Sequence, residues 1–203
     1  MSQIALPLVP VASGKPLAIV IGDGNHAVAE ALAVPETWPF RTAILKGPPR
    51  SGKSLMARWF VDAGKGGAID SADTQDETSL FHRWNRAQED GLPLLLVVDG
   101  DGWDVGLPDL KTRLRASLQL EIGPPDDAME ADLMLAHAEQ RGLALGEGAP
   151  AYLVPRMERS YAAIERVVAE IDRLSLERKV PATLSVWRDA LEAVQGPEQG
   201  RLL

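Results

Sequence analysis

The run Gly47-Pro48-Pro49-Arg50-Ser51-Gly52-Lys53-Ser54 holds residue types whose spacing suits phosphate chemistry. Gly47 and Gly52 let the backbone curl until its N–H groups converge on phosphate oxygens, Lys53 can reach the β- and γ-phosphates, and the Ser54 hydroxyl can hold Mg2+. An apolar run, Thr42-Ala43-Ile44-Leu45, precedes the loop, and a helical pattern from Leu55 to Phe60 follows it. That context separates a P-loop from a Gly/Pro turn beside a chance Gly-Lys-Ser. The opening helix also adds its N-terminal dipole to the same anion site.

A P-loop needs a carboxylate on the metal side, usually at the end of a strand next to the P-loop strand. Ala68-Ile69-Asp70 is a very short apolar entry to an acid, and Asp70 is expected to share Mg2+ with Ser54. Ser71 comes next, where many P-loop ATPases carry a glutamate that polarises the attacking water, so weak or absent hydrolysis by the chain itself is expected. Asp99 closes Leu94-Leu95-Leu96-Val97-Val98, the clearest buried strand, at the end where open α/β sheets place ligand contacts. Two other patterns are set aside. Gly22-Asp23-Gly24-Asn25-His26-Ala27 matches a dinucleotide fingerprint, but the following strand ends in Lys46 rather than an acid. Asp99-Gly100-Asp101-Gly102 would put Asp104 and Leu110 where a calcium loop needs Gly and Glu. His26, His82 and His137 lack metal-ligand spacing.

The elements that must position these groups follow from periodicity. Leu17–Ile21 is expected as a buried strand, His26–Leu32 as a short helix, Glu77–Glu89 as a helix with Leu80, Phe81 and Trp84 on one side, Leu107–Leu114 as a short capped helix, and Ser117–Ile122 as an alternating strand. Gly123-Pro124-Pro125-Asp126 is a break, after which the pattern turns helical. Stripes of Met129, Leu133 and Ala136, of Tyr161, Ile164, Val168 and Ile171, and of Leu184, Trp187, Leu191 and Val194 give three helices, the last entered through Thr183 as N-cap. The expected division is a tail over 1–16, a P-loop α/β core over 17–123 and a helical domain over 124–203.

A chain of 203 residues, 45% apolar and 25% charged, can bury a sizeable core. It has no cysteine, which removes disulfides and thiolate metal sites and fits a reducing compartment. No apolar run approaches a membrane span and the N-terminus lacks a signal-peptide layout, so a cytoplasmic protein without a membrane partner is expected. A formal charge of −8 argues against nonspecific nucleic-acid binding, although Arg156, Arg159 and Arg166 could share a local basic face.

A P-loop unit followed by a small helical unit resembles nucleotide-gated AAA+ modules. Leu107-Pro108-Asp109-Leu110-Lys111-Thr112-Arg113-Leu114 resembles the arginine-finger box of the DnaA replication initiator, and Ile122-Gly123-Pro124-Pro125 continues as that family does into its lid. Asp172–Thr183 resembles the lid stretch of the Hda family of DnaA-related regulators, and Gln3-Ile4-Ala5-Leu6-Pro7-Leu8 resembles the β-clamp-binding motif that this family carries. The resemblance implies an α/β fold, with a P-loop AAA+ core on a shortened parallel sheet and a small all-α lid domain. It implies ADP or ATP with Mg2+ as cofactor, Arg113 as an arginine finger acting on a neighbouring molecule's nucleotide, Asp99 at the sensor 1 position, and Asn25 in the N-terminal nucleotide-contact stretch.

It further implies docking on the DNA polymerase III β sliding clamp through Gln3, Leu6, Pro7 and Leu8, and promotion of ATP hydrolysis on DnaA. Nucleotide-dependent self-association is compatible with it, and sequence-specific DNA binding is not expected. The departures are instructive. The family's second strand and helix are missing, which would remove an edge strand, and Ala162 stands where sensor 2 has arginine, with Arg159 one turn earlier on the same expected helix as its substitute. The competing expectation, from the P-loop alone, is an autonomous ATPase or small-molecule kinase.

Overall fold

The structure is a computed structural model and describes residues 19–99 and 103–196. The clamp-like motif at Gln3, Leu6, Pro7 and Leu8 lies outside these residues. The chain divides into two compact units, one ending at Gly123 and the other starting at Pro124.

In the first unit, α1 (His26–Ala33), β1 (Thr42–Lys46), α2 (Lys53–Asp62), β2 (Gly67–Ile69), α3 (Glu77–Glu89), β3 (Leu94–Val97), α4 (Pro108–Ala116) and β4 (Leu118–Glu121) follow one another. Among the described residues the sheet has four strands in the order β2-β3-β1-β4, all parallel. β1 and β3 are central and buried on both faces, which explains why they read as continuous apolar runs. β4 is an edge strand and reads as alternation, with Leu120 buried and Gln119 and Glu121 exposed. β2 is short and forms the other edge among the described residues, paired there to β3. The sheet is therefore shortened at an edge and stays continuous at its centre.

Strand alternation sends Ile44, Leu94, Leu96 and Val98 to one face, where they form a core with Leu80 and Trp84 of α3 and Leu110 and Leu114 of α4. α2 packs against β2 and β3. Its Phe60 is fully buried and stacks on Trp38, with ring centroids 5.3 Å apart. Asp76 caps α3 by accepting from Ser79 N at 2.8 Å, a contact worth about 1 kcal/mol.

The expected strand at Leu17–Ile21 does not form over its described part. Ile19 is buried, but residues 19–22 are irregular because their polar groups are used locally. Asn25 Nδ2 donates to Val20 O, Gly22 N donates to Asn25 Oδ1, and Gly22 O accepts from the backbones of Asn25 and His26. The Asn25 side chain thus takes the Val20 carbonyl that a ladder would use, and the turn at Gly22 ends the run.

The second unit contains α5 (Asp127–Gln140), α6 (Ala149–Leu153), α7 (Tyr161–Arg178) and α8 (Leu184–Gln195). Its core joins Met134, Leu153, Ile164, Val168, Trp187 and Leu191. The stripe of Tyr161, Ile164, Val168 and Ile171 is buried throughout, whereas α5 turns Met134 and Ala138 into the core with Ala136 only half-buried, and Leu184 is exposed at the start of α8. Asp126 caps α5 through Met129 N, and Ser160 caps α7 through Ala163 N. Thr183 occupies the N-cap position of α8 without a side-chain cap bond; its hydroxyl lies 3.4 Å from that of Ser185.

Candidate nucleotide site

The loop between β1 and α2 is shaped by two glycines. A Cβ on Gly47 would lie 2.8 Å from Ile122 Cβ, so the chain leaving β1 passes too close to the chain leaving β4 for any side chain. Gly52 is left-handed, with φ of 88°, and is the N-cap of α2. This turn sets the start of α2 at Lys53 and leaves the first-turn N–H groups of a ten-residue helix free of intrahelical partners. Arg50 also has positive φ, at 65°. Pro48 and Pro49 complete the loop, with Ser51 N donating to Pro48 O at 3.3 Å.

Lys53 is only 5% exposed. Its ammonium donates to Gly47 O at 2.9 Å and Pro48 O at 3.1 Å, and it lies 3.3 Å from Asp99 Oδ1. A buried ammonium held by loop carbonyls pins the loop's curl while keeping its charge beside the helix start. Ser51 Oγ is buried with no hydrogen-bond partner among the described residues, and Ser54 is exposed in the first turn of α2. A nearly buried cation, a helix N-terminus and an orphaned hydroxyl fit a polyphosphate, with Gly47–Ser54 as the residues that would hold it.

The carboxylates fall into place differently from the sequence expectation. Asp70 follows β2, and β3 separates that strand from β1, so the strand next to the P-loop strand on this side is the one leading to Asp99. Sequence order hid this, because Asp70 comes first along the chain while pairing is set by the sheet. Asp99 therefore meets Lys53. Asp70 is exposed and accepts from the backbone N–H of Ser71, a residue in left-handed conformation. The two sites connect through Ser71 Oγ, which donates to Asp99 Oδ2 at 3.4 Å.

Asp73 was not singled out from sequence. Its Oδ2 accepts from Asp99 N at 3.4 Å while its Oδ1 is buried without a partner among the described residues. Only its position three residues after Asp70 could have drawn attention to it. Asn25 is 3% exposed and spends both ends of its amide on its own loop, so it acts by shaping residues 20–25. That loop is tied to the end of β4 by Gly123 N donating to Gly24 O at 2.8 Å.

Arg113 lies on α4, packed in cis against α3. Its guanidinium sits 4.8 Å from the Phe81 ring centroid and 4.4 Å from that of Trp84, and it donates to Asn85 Oδ1 at 2.7 Å. At the other end of the pair, Glu77 accepts from Gly106 N and Leu107 N and so anchors the entry to α4. Arg159 is not on the helix that carries Ala162. Ser160 is the N-cap of α7 and is extended, which leaves Arg159 before the helix, where it pairs with Asp127.

No protein-family model matches the chain. Solved structures do resemble it. Domain III of the Thermotoga maritima replication initiation protein DnaA superposes with a TM-score of 0.71 at 15% identity, over 87% of this chain and 95% of that one. AMPPCP-bound DnaA from Aquifex aeolicus gives 0.59 at 15% identity, over 79% of this chain and 65% of that one. The Thermotoga maritima RuvB Holliday junction branch migration motor gives 0.58 at 15% identity, over 85% and 70%. These likenesses concern fold. With its four-stranded parallel sheet among the described residues, the P-loop between β1 and α2, and the helical unit that follows, the chain has the fold of an AAA+ P-loop domain of the DnaA-like kind.

Proposed function

We propose that this chain is a nucleotide-binding regulator of chromosomal replication initiation of the Hda type. It would bind ADP or ATP with Mg2+ at Gly47–Ser54 and promote hydrolysis of ATP on DnaA rather than consume ATP itself. The observation that carries the nucleotide part is the buried Lys53 ammonium, held by Gly47 O and Pro48 O at the start of α2 and 3.3 Å from Asp99. The bound nucleotide would supply the phosphate charge that these residues, with Ser54 and Asp70 on the metal side, are suited to hold. Ser71 after Asp70, with no glutamate there, supports weak turnover in cis.

The partner side rests on the sequence runs around Arg113, Asp172–Thr183 and Gln3–Leu8, together with the DnaA-like fold. In this reading Arg113 leaves Asn85 and the two aromatic rings to meet the nucleotide of DnaA. The tail at Gln3, Leu6, Pro7 and Leu8 docks on the sliding clamp.

The test is turnover of DnaA-bound ATP with clamp and DNA present. Wild type should accelerate it and Arg113→Ala should lose most of the acceleration, since fingers contribute about 10³–10⁵ in rate. Full stimulation by Arg113→Ala removes the finger, and undiminished clamp pull-down by Leu6→Ala/Leu8→Ala removes the docking. The runner-up, an autonomous ATPase or small-molecule kinase, draws on the carboxylates of Asp70, Asp73 and Asp99 near the loop. Robust turnover by the isolated chain that vanishes in Lys53→Ala would put it first.

A further inference from the structure

A cavity of about 460 Å³ lies on the α4 face of the sheet, away from the α2 side. Its floor is Ile44 of β1 and Gln119 of β4, which are directly paired in the parallel ladder. Lys46, two residues along β1, lies on the same face and closes one end. One wall is α4, where Lys111, Leu114 and Arg115 fall at the spacing of a single helix face. The opposite wall is Trp103, Asp104 and Val105.

The charge pattern of this cavity runs against that of the chain. The protein carries −8 overall, yet three cations line the cavity against a single carboxylate. Lys111 and Asp104 neutralise each other across it at 2.8 Å. Arg115 adds its pull on the Asp104 carboxylate, and Glu121, the ladder partner of Lys46, stands exposed on the same strand face beyond the lining, so the cavity keeps a net positive charge beside Ile44 and Leu114. Gln119 is held in place, its amide donating to Leu114 O and Ser117 O at 3.0 and 3.1 Å. The volume is that of a small-molecule site.

We infer that this cavity binds a small phosphorylated aromatic molecule, with the phosphate between Lys46 and Arg115 and the flat apolar body against Trp103, Ile44 and Leu114. A net positive charge suits the phosphate of a monoester, and the Arg115 guanidinium offers a fork of donors that its oxygens can accept. A purely apolar ligand would leave that charge unanswered, and inorganic phosphate would leave the apolar floor and Trp103 unused. The site is separate from the P-loop and does not depend on the proposed regulatory role.

The experiment uses the intact chain saturated with MgADP, so that the P-loop is filled. Naphthyl phosphate is titrated while proton–nitrogen correlation spectra are recorded. Saturable shifts are expected at the Trp103 indole and at residues 103–105 and 111–115, with a dissociation constant below about 1 mM. Naphthol and inorganic phosphate should each bind at least about ten-fold more weakly. The Lys46→Gln/Arg115→Gln variant should weaken binding by about ten-fold or more, whereas Asp104→Asn, which removes the only carboxylate of the cavity, should tighten it several-fold. The opposite signs guard against a variant that merely loosens the fold. Absence of saturable shifts, shifts confined to residues 47–54 and suppressed by ADP, or equal affinity in the double variant would each overturn the assignment.

Discussion

The Arg113 guanidinium lies 4.4 Å from the Trp84 ring centroid, on the neighbouring helix of its own fold. Phe81 flanks it and Asn85 accepts its hydrogen bond, so one turn of α3 supplies two π faces and a carbonyl oxygen. A finger acting on another molecule would have to give up these contacts. Any activity in trans is thus set against the energy of a contact within the chain.

That energy is measurable. Arg113→Ala should destabilise the isolated protein by about 2–4 kcal/mol, the sum expected for a partly buried cation–π contact and one charge-assisted hydrogen bond. Arg113→Lys should lose less, since it keeps the cation but not the fork. Urea unfolding gives both values, and an unchanged midpoint for Arg113→Ala would mean that the cradle holds nothing.

Ser51 offers a test in which two effects have opposite sign. Its buried Oγ has no partner among the described residues, so Ser51→Ala should leave the nucleotide-free protein equally stable or stabilise it by up to about 1 kcal/mol. MgADP at about a hundred times its dissociation constant should add about 2.7 kcal/mol to the wild type. At that same ADP concentration the gain should be smaller for Ser51→Ala and nearly absent for Lys53→Ala. Equal ADP-dependent melting shifts in all three proteins would show that nucleotide is held elsewhere.

Backbone crowding predicts a contrast between two nearby glycines. A Cβ at Gly66 would lie 2.3 Å from Pro93 O, against backbone that Gly67 N fixes with a 2.9 Å hydrogen bond to the same oxygen. Gly66→Ala should cost more than about 2 kcal/mol. Gly64 has positive φ of 67° but open space around its Cβ position, so Gly64→Ala should cost only about 1 kcal/mol of conformational strain. Thermal melts that rank the two equally would refute the contact at Pro93.

The sequence made the central strands legible because burial on both faces leaves Ile44 and Leu94–Val97 as unbroken apolar runs, and it made the P-loop legible because its residues are consecutive. It misled at Ile19, a buried residue in an irregular segment, since apolar content alone does not reveal whether a carbonyl such as that of Val20 pairs with a strand or with Asn25. The expectation that the strand leading to Asp70 lies beside the P-loop strand fails for a similar reason. Parallel pairing is non-local, so the order of Asp70 and Asp99 along the chain says nothing about which strand lies beside β1. The cradle of Arg113 depends on α3 and α4 meeting, and the isolated pattern of Phe81, Trp84 and Asn85 could not show what would cover it.

The burial of Glu130 is expected to make the stability of the helical unit depend on pH. It is 1% exposed, its Oε1 lacks a hydrogen-bond partner among the described residues, and burial raises its carboxyl pKa above the ordinary 4.5 despite the opposing pull of Arg159. An acid with a raised folded-state pKa binds more protons folded than unfolded. Its stabilising contribution is therefore complete below the unfolded value and is lost as pH rises through the folded one. Glu130→Gln removes this dependence, so its stability relative to wild type should grow as pH rises from about 4.5 and then level off. Exposed groups such as Asp76, whose carboxyl is lowered by bonds from Ser79, cancel in the comparison. Urea-unfolding free energies of the two proteins between about pH 4 and pH 7 supply the curve. A constant difference across that range would mean that Glu130 titrates alike in the folded and unfolded chain, and that its burial is relieved by contacts the native structure gains on ionisation.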